Sequence, residues 1–212
     1  MRYLIAIGVV LCMLLGPIGP LAHADTYEIS EKHLIVTSQI VDEDLVAFIS
    51  LIESYDLKKG DTLKIDIACD GGRADAMVAI AHQIFKLKKR GVKIVTETMG
   101  RAYSAAALLW IVGDERITHE GDIFMFHTSV IFDSWGNMKT KKDLHGVNRW
   151  IIEQFDYIIR QCFLNILHDT ELVNKLLNQD GNIDDPRNGN MNWFTAEEVY
   201  KLGIATEYIE LM

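Results

Sequence analysis

Residues 92–112 read Val-Lys-Ile-Val-Thr-Glu-Thr-Met-Gly-Arg-Ala-Tyr-Ser-Ala-Ala-Ala-Leu-Leu-Trp-Ile-Val. The first part, Val92 to Thr98, is rich in β-branched residues and predicts a strand that ends at Met99-Gly100. The last part, Ser104 to Val112, is alanine-rich and carries no charge, which predicts a helix buried on all sides. A strand that turns through glycine into a buried helix is the basic joint of an α/β fold. The alternation continues on both sides. Upstream, Leu63–Ala68 alternates as a strand and stops in Cys69-Asp70-Gly71-Gly72. Met77, Ile80, Ile84 and Leu87 then mark a helix over 75–90, with Gly91 as its stop. Earlier still, His33–Val36 predicts a short strand, and Leu45, Phe48, Ile49 and Ile52 a helix over 43–55. Downstream, Ile123–Phe126 predicts a strand ending at His127. Such repetition with short connections predicts parallel strands, and no repeat or linker divides the chain into domains.

One element is oversized. Leu144, Val147, Ile151, Phe155, Ile158, Cys162 and Ile166 form a stripe that predicts a helix over 140–167. Those 28 residues would extend about 42 Å, against a radius of gyration of roughly 16 Å for a domain of this size. Two readings are open. The helix lies across the sheet, broken at Gly146, or it is an arm whose apolar stripe another subunit covers.

Composition bounds the class. The chain has 212 residues, 49% apolar and 24% charged, which suits one domain with a sizeable core and excludes a disordered or polytopic membrane protein. Lys and Arg number 21 against 30 acidic residues, a net charge of −9 with no basic cluster beyond short pieces such as Lys86, Lys88, Lys89 and Arg90, so no nucleic-acid partner is expected. Residues 1–24 read as an address. Arg2 precedes the apolar run Tyr3–Leu15, two Gly-Pro pairs break any helix, and Ala22-His23-Ala24 is a cleavage signature. A secretory signal cleaved after Ala24 is expected, with an uncleaved membrane anchor as the alternative. Residues 25–212 then form a single periplasmic or secreted domain, with Arg2 gone and the charge lowered from −9 to −10. Of the cysteines Cys69 and Cys162 remain. Two readings are open: separate buried thiols, favoured by the place of Cys162 on the apolar stripe, or a disulfide, which an exported chain permits.

Three features fall at strand ends, where open α/β sheets build sites. Asp70-Gly71-Gly72 is either a tight turn or a pair of amides turned toward an oxyanion. Ser104, at the start of the uncharged helix, is either a plain N-cap or a nucleophile lifted on a turn. His127 is either structural or a general base. The remaining histidines, His33, His82, His119, His145 and His168, read as exposed or capping residues. No Cys/His grouping has metal-ligand spacing, and no cofactor is expected.

Taken together, order and spacing resemble the proteolytic subunit of the Clp protease family. Ile-Asp-Ile-Ala-Cys-Asp-Gly-Gly is similar to that family's strand ending in Asn-Ser-Pro-Gly-Gly. Gly-Arg-Ala-Tyr-Ser-Ala-Ala-Ala resembles its nucleophile block, and Phe-Met-Phe-His-Thr its Met-Ile-His-Gln-Pro. The closing Thr195-Ala196-Glu197-Glu198 through Ala205 resembles its Ser-Ala-x-Glu segment. The resemblance implies an α/β fold of the Clp-protease and crotonase type: repeated strand–strand–helix units with a long protruding handle helix. It implies a serine endopeptidase acting on peptides or unfolded polypeptides, with Ser104 as nucleophile, His127 as base and Asp180 as acid. Asp184 and Asp185 are alternatives for the acid. Gly71 and Ala105 would form the oxyanion hole, with Gly72 as the fallback. It further implies a homo-oligomeric ring assembled through the 140–167 helix. Export separates the chain from ATP, so no ATPase partner is expected. Rival readings are a signal-peptide-peptidase-like enzyme with a lysine base, a crotonase-type acyl-CoA enzyme that would not need Ser104, and a lapsed scaffold that binds partners by its surface. Thr195 is expected to cap the last helix, with Glu198 completing a capping box.

Overall fold

A computed structural model describes residues 26–30, 32–132, 138–139, 144–177 and 191–211. The leader, residues 1–24, lies outside them. In chain order the elements are β1 (Thr26–Ser30), β2 (His33–Ile40), α1 (Asp42–Ser54), β3 (Thr62–Gly72), α2 (Ala74–Lys89), β4 (Lys93–Tyr103), α3 (Ala105–Ile111), β5 (Glu115–His119), β6 (Ile123–Phe126), β7 (Ile131–Phe132), β8 (Met138–Lys139), α4 (Gly146–Leu167), α5 (Thr170–Leu177), β9 (Asn192–Thr195), α6 (Ala196–Lys201) and β10 (Glu207–Ile209). Strands β2, β3, β4, β5 and β10 pair in that order, all parallel. Antiparallel β1 extends the sheet from β2.

Period-two patterning decides which face of the sheet is covered. Leu63, Ile65, Ile67 and Cys69 of β3 are fully buried among apolar neighbours, and Met77, Ile80, Ile84 and Leu87 of α2 join the same core. All seven residues of α3 are buried. Its three alanines let the helix backbone close on β3 and β4, which it contacts directly. The alternate residues carry charge. Lys64 pairs with Glu97 at 2.6 Å, His33 with Asp66 at 2.7 Å, and His119 with Glu97 at 3.2 Å. His33 and His119 are therefore partly buried members of a cross-strand polar network, not the exposed or capping residues the sequence suggested.

Strand β4 changes partner along its length. Val95–Glu97 pair with β5, whereas Arg101–Tyr103 pair with β6. Gly100 sits between the two halves at φ +95°, a conformation open to glycine. Asp122 holds this fork. It is 3% exposed, and its carboxylate accepts the Gly100 N–H at 2.6 Å, the His119 N–H at 2.8 Å and the Thr118 hydroxyl at 3.1 Å. Antiparallel β9 then lines the far side of β6.

The long helix differs from expectation at its start. Helix α4 begins at Gly146 and holds 22 residues, or about 33 Å. His145 is extended and Gly146 takes φ +59°, so the helix cannot continue back through them. Ile152, Ile159, Cys162 and Phe163 are buried, whereas Val147 and Trp150 in the first turns are 71% and 60% exposed. The helix thus packs by its later turns and leaves its opening turns uncovered in the isolated chain. Thr195 caps α6 as expected, its hydroxyl accepting the Glu198 N–H while the Glu198 carboxylate accepts the Thr195 N–H at 2.7 Å. Cys69 and Cys162 are separate buried thiols.

Removing the fork's carboxylate leaves three donors unpaired, two of them backbone amides. Asp122→Ala is expected to lower unfolding free energy by about 3 kcal/mol or more, measured by denaturant titration. A loss under about 0.5 kcal/mol, the range of an inert surface change, would show that the fork holds without it.

Candidate active site

Ser104 follows β4 by one residue and has φ 55°, ψ −120°, a conformation that side-chain-bearing residues avoid. Its hydroxyl makes no capping bond to α3. Its N–H instead donates to the Met125 carbonyl at 2.8 Å, tying the turn to β6. Gly71 presses on the same turn. A Cβ there would stand 2.6 Å from the Tyr103 carbonyl oxygen and 2.7 Å from Ser104 Cβ, so only glycine fits. At Gly72 a Cβ would come within 2.0 Å of the Ile40 carbonyl oxygen. The glycine pair is a close-packing device at the sheet's C-terminal edge.

His127 follows β6 by one residue. Because Tyr103 is in register with Met125, Ser104 and His127 leave neighbouring parallel strands side by side. Ser104 Oγ and His127 Nε2 are 2.7 Å apart. On the other side of the ring, Nδ1 lies 2.5 Å from the Thr128 carbonyl oxygen. A carbonyl can only accept, which puts the hydrogen of the neutral ring on Nδ1 and leaves Nε2 to accept the serine proton. Burial pushes the His127 pKa below the ordinary imidazole value, and the Thr128 bond opposes that push. The ring is thus held neutral, in the tautomer a base needs.

Both side chains open into a cleft of about 900 Å³. Its floor is apolar, formed by Met77, Leu108, Phe155, Ile159, Phe163 and Leu177. Its rim is charged and internally paired. Asp70 binds Arg101 at 2.5 Å, and Arg73 pairs with Asp42 at 2.9 Å and with Asp75. An extended apolar segment with polar backbone fits such a lining.

The expected site residues divide into three groups. Ser104 and His127 are brought together. Ala105 borders the cleft as the first residue of α3, where an N–H has no intrahelical partner. Gly71 lies against Ser104, but its N–H donates to Cys69 Sγ at 3.3 Å, and it is Gly72 that borders the cleft. Asp180, with Asp184 and Asp185, lies outside the described residues. Burial raises the Cys69 pKa to about 11, so the sulfur beside Gly71 is a neutral thiol and a weak acceptor.

Sequence reasoning missed Cys69 as the acceptor of the Gly71 amide, the Thr128 carbonyl behind the histidine, and Asp156, whose carboxylate accepts the Ser129 N–H at 2.6 Å. Only Asp156 left a signal. It interrupts an inward stripe, four residues after Ile152 and three before Ile159. Chemically, a neutral imidazole touching a hydroxyl beside free helix amides can generate an alkoxide-like nucleophile and stabilise an oxyanion. Among the described residues no group of three or more His, Cys, Asp or Glu could hold a metal ion.

The family model described as Clp protease matches residues 24–210 of this chain. No curated protein matches it.

The part-buried, neutral His127 makes a pH prediction. Phosphonylation of Ser104 by a fluorophosphonate should rise with pH through a midpoint below the about 6.5 of a free imidazole. The sign follows from the depressed pKa: the unprotonated imidazole is already present at neutral pH and is lost only in acid. Mass-spectrometric labelling rates between pH 5 and 8 read the midpoint, and a value above 7 would contradict the burial argument.

Proposed function

Because the chain belongs to the Clp protease family, we propose that it is a serine endopeptidase hydrolysing peptides or unfolded segments, with Ser104 as nucleophile and His127 as base. The observation that carries this reading is the 2.7 Å contact between Ser104 Oγ and His127 Nε2, together with an Nδ1 already engaged by a carbonyl acceptor.

In the proposed reaction, Oγ attacks the scissile carbonyl carbon as its proton passes to Nε2. The carbonyl oxygen becomes an oxyanion, stabilised by the N–H groups of Ala105 and Gly71. The second of these leaves the sulfur of Cys69 for a stronger, charged acceptor. The imidazolium gives its proton to the departing amine, and the acyl-enzyme forms. Water, deprotonated by the same imidazole, then releases the acyl group and restores Ser104. Asp180 is the acid implied by the family resemblance; to act as one it would take the single Nδ1–H in place of the Thr128 carbonyl. The apolar floor favours a large apolar side chain beside the scissile bond.

Export and assembly belong to the same proposal. The leader-like residues 1–24 support a periplasmic or secreted protein. There no ATP-driven unfoldase could feed the cleft, so the substrates would be peptides or chains already unfolded. The uncovered Val147 and Trp150 of α4 support a homo-oligomer built through that helix.

The test is peptide hydrolysis by purified protein. Ser104→Ala and His127→Ala are each expected to lower kcat by about 10³ or more, and Ser104→Ala to abolish fluorophosphonate labelling. Hydrolysis that survives His127→Ala but not Ser104→Ala would point to a lysine base. An absence of labelling in every assembly state of the wild type would point to a binding scaffold.

A further inference from the structure

The hydrogen bonds behind Ser104 do not stop at Thr128. The Thr128 carbonyl and the Ser129 N–H belong to one peptide group. Its oxygen lies 2.5 Å from His127 Nδ1, and its N–H donates to Asp156 Oδ1 at 2.6 Å. In a trans peptide these two bonds leave on opposite sides, so the amide stands between the imidazole and the carboxylate. Thr128 and Ser129 are each 5% exposed, which keeps water from screening the link.

The two bonds reinforce each other. A carboxylate drawing on the N–H shifts electron density toward the carbonyl oxygen, and that oxygen then holds the Nδ1–H more strongly. We propose that Asp156 is the positioning residue of the catalytic histidine, its carboxylate acting on His127 through the 128–129 peptide group. This rests on the reading of Ser104 and His127 as nucleophile and base. Asp156 thereby fixes the ring, keeps the Nδ1–H tautomer, and favours the imidazolium that forms when Oγ gives up its proton. No proton moves beyond Nε2. Asp156 is carried on α4, so the helix that lines the cleft also sets the histidine. The other charged groups bordering the cleft are Asp70, Arg73 and Asp75, each engaged in the ion pairs of the rim.

The experiment compares steady-state peptide hydrolysis across pH for wild type, Asp156→Asn, Ser129→Pro, their double variant and Asp180→Asn. The asparagine keeps shape and an acceptor oxygen but not the charge, and the proline deletes the N–H. Asp156→Asn is expected to lower kcat about tenfold or more with KM nearly unchanged, a part of the about 10²–10⁴ that general-base catalysis contributes. Its acidic limb should move down by about half a pH unit, since a neutral amide no longer favours the imidazolium. Ser129→Pro should lose as much, and the double variant no more than either single, because both cut one link. Should Ser129→Pro not fold, the Asp156→Asn arm decides. A wild-type kcat and pH profile in Asp156→Asn, or losses that add in the double variant, would overturn the inference. Loss on Asp180→Asn alone would overturn it too, while leaving Ser104 and His127 in their roles. Hydrolysis persisting in Ser104→Ala would instead sink the underlying reading.

Discussion

The geometry of the cleft depends on a strand that serves two partners. A buried backbone must have its N–H and C=O groups paired along its whole length, and β4 meets that demand with β5 below Gly100 and β6 above it. The change of partner needs a residue free to take positive φ and something to tie down the diverging chains. Gly100 supplies the first and the Asp122 carboxylate the second. Once β6 lies beside the upper half of β4, the residues just past the two strand ends become neighbours. Those residues are Ser104 and His127.

Around that fork, the fold supports a local conformation that would not persist alone. Ser104 sits at a positive φ that costs about 1–3 kcal/mol for a residue with a side chain. What holds it is packing: a fully buried α3 on one side, the bare Cα of Gly71 on the other, and the Met125 carbonyl on its N–H. The rim contributes less. Asp70 and Arg101 are about half exposed, and ion pairs of that kind add about 0–1 kcal/mol. The polar contacts that weigh more are the sheltered ones, at the Asp122 carboxylate and behind His127.

Sequence patterning carried the fold a long way. Alternation marked β3, β-branched residues marked β4, an uncharged alanine-rich run marked α3, and helical spacing marked α1 and α2. The strands β1, β5, β9 and β10 were not read: each has only three to five residues, and unlike the wholly apolar β6 none stands out as an apolar run. Helix α4 starts at Gly146, where one of the two open readings broke it; the apolar stripe ran on through Leu144, but the helical backbone at His145 and Gly146 does not. The misreading of His33 and His119 has another cause. Their partners Asp66 and Glu97 lie on other strands, and sequence distance hides cross-strand pairs.

At the cleft the division is sharper. Local patterning was enough to set a glycine pair, a serine and a histidine at the strand ends, since it reports where strands stop and helices start. It also determined which face of each element seeks the core. Packing in three dimensions set the rest: β6 lies beside the upper half of β4, the Gly71 amide turns to a cysteine sulfur, and a peptide group stands between His127 and Asp156. These are distances between atoms far apart along the chain or set by one backbone turn. No periodicity encodes them; they arise when buried backbone groups must each find a partner in three dimensions.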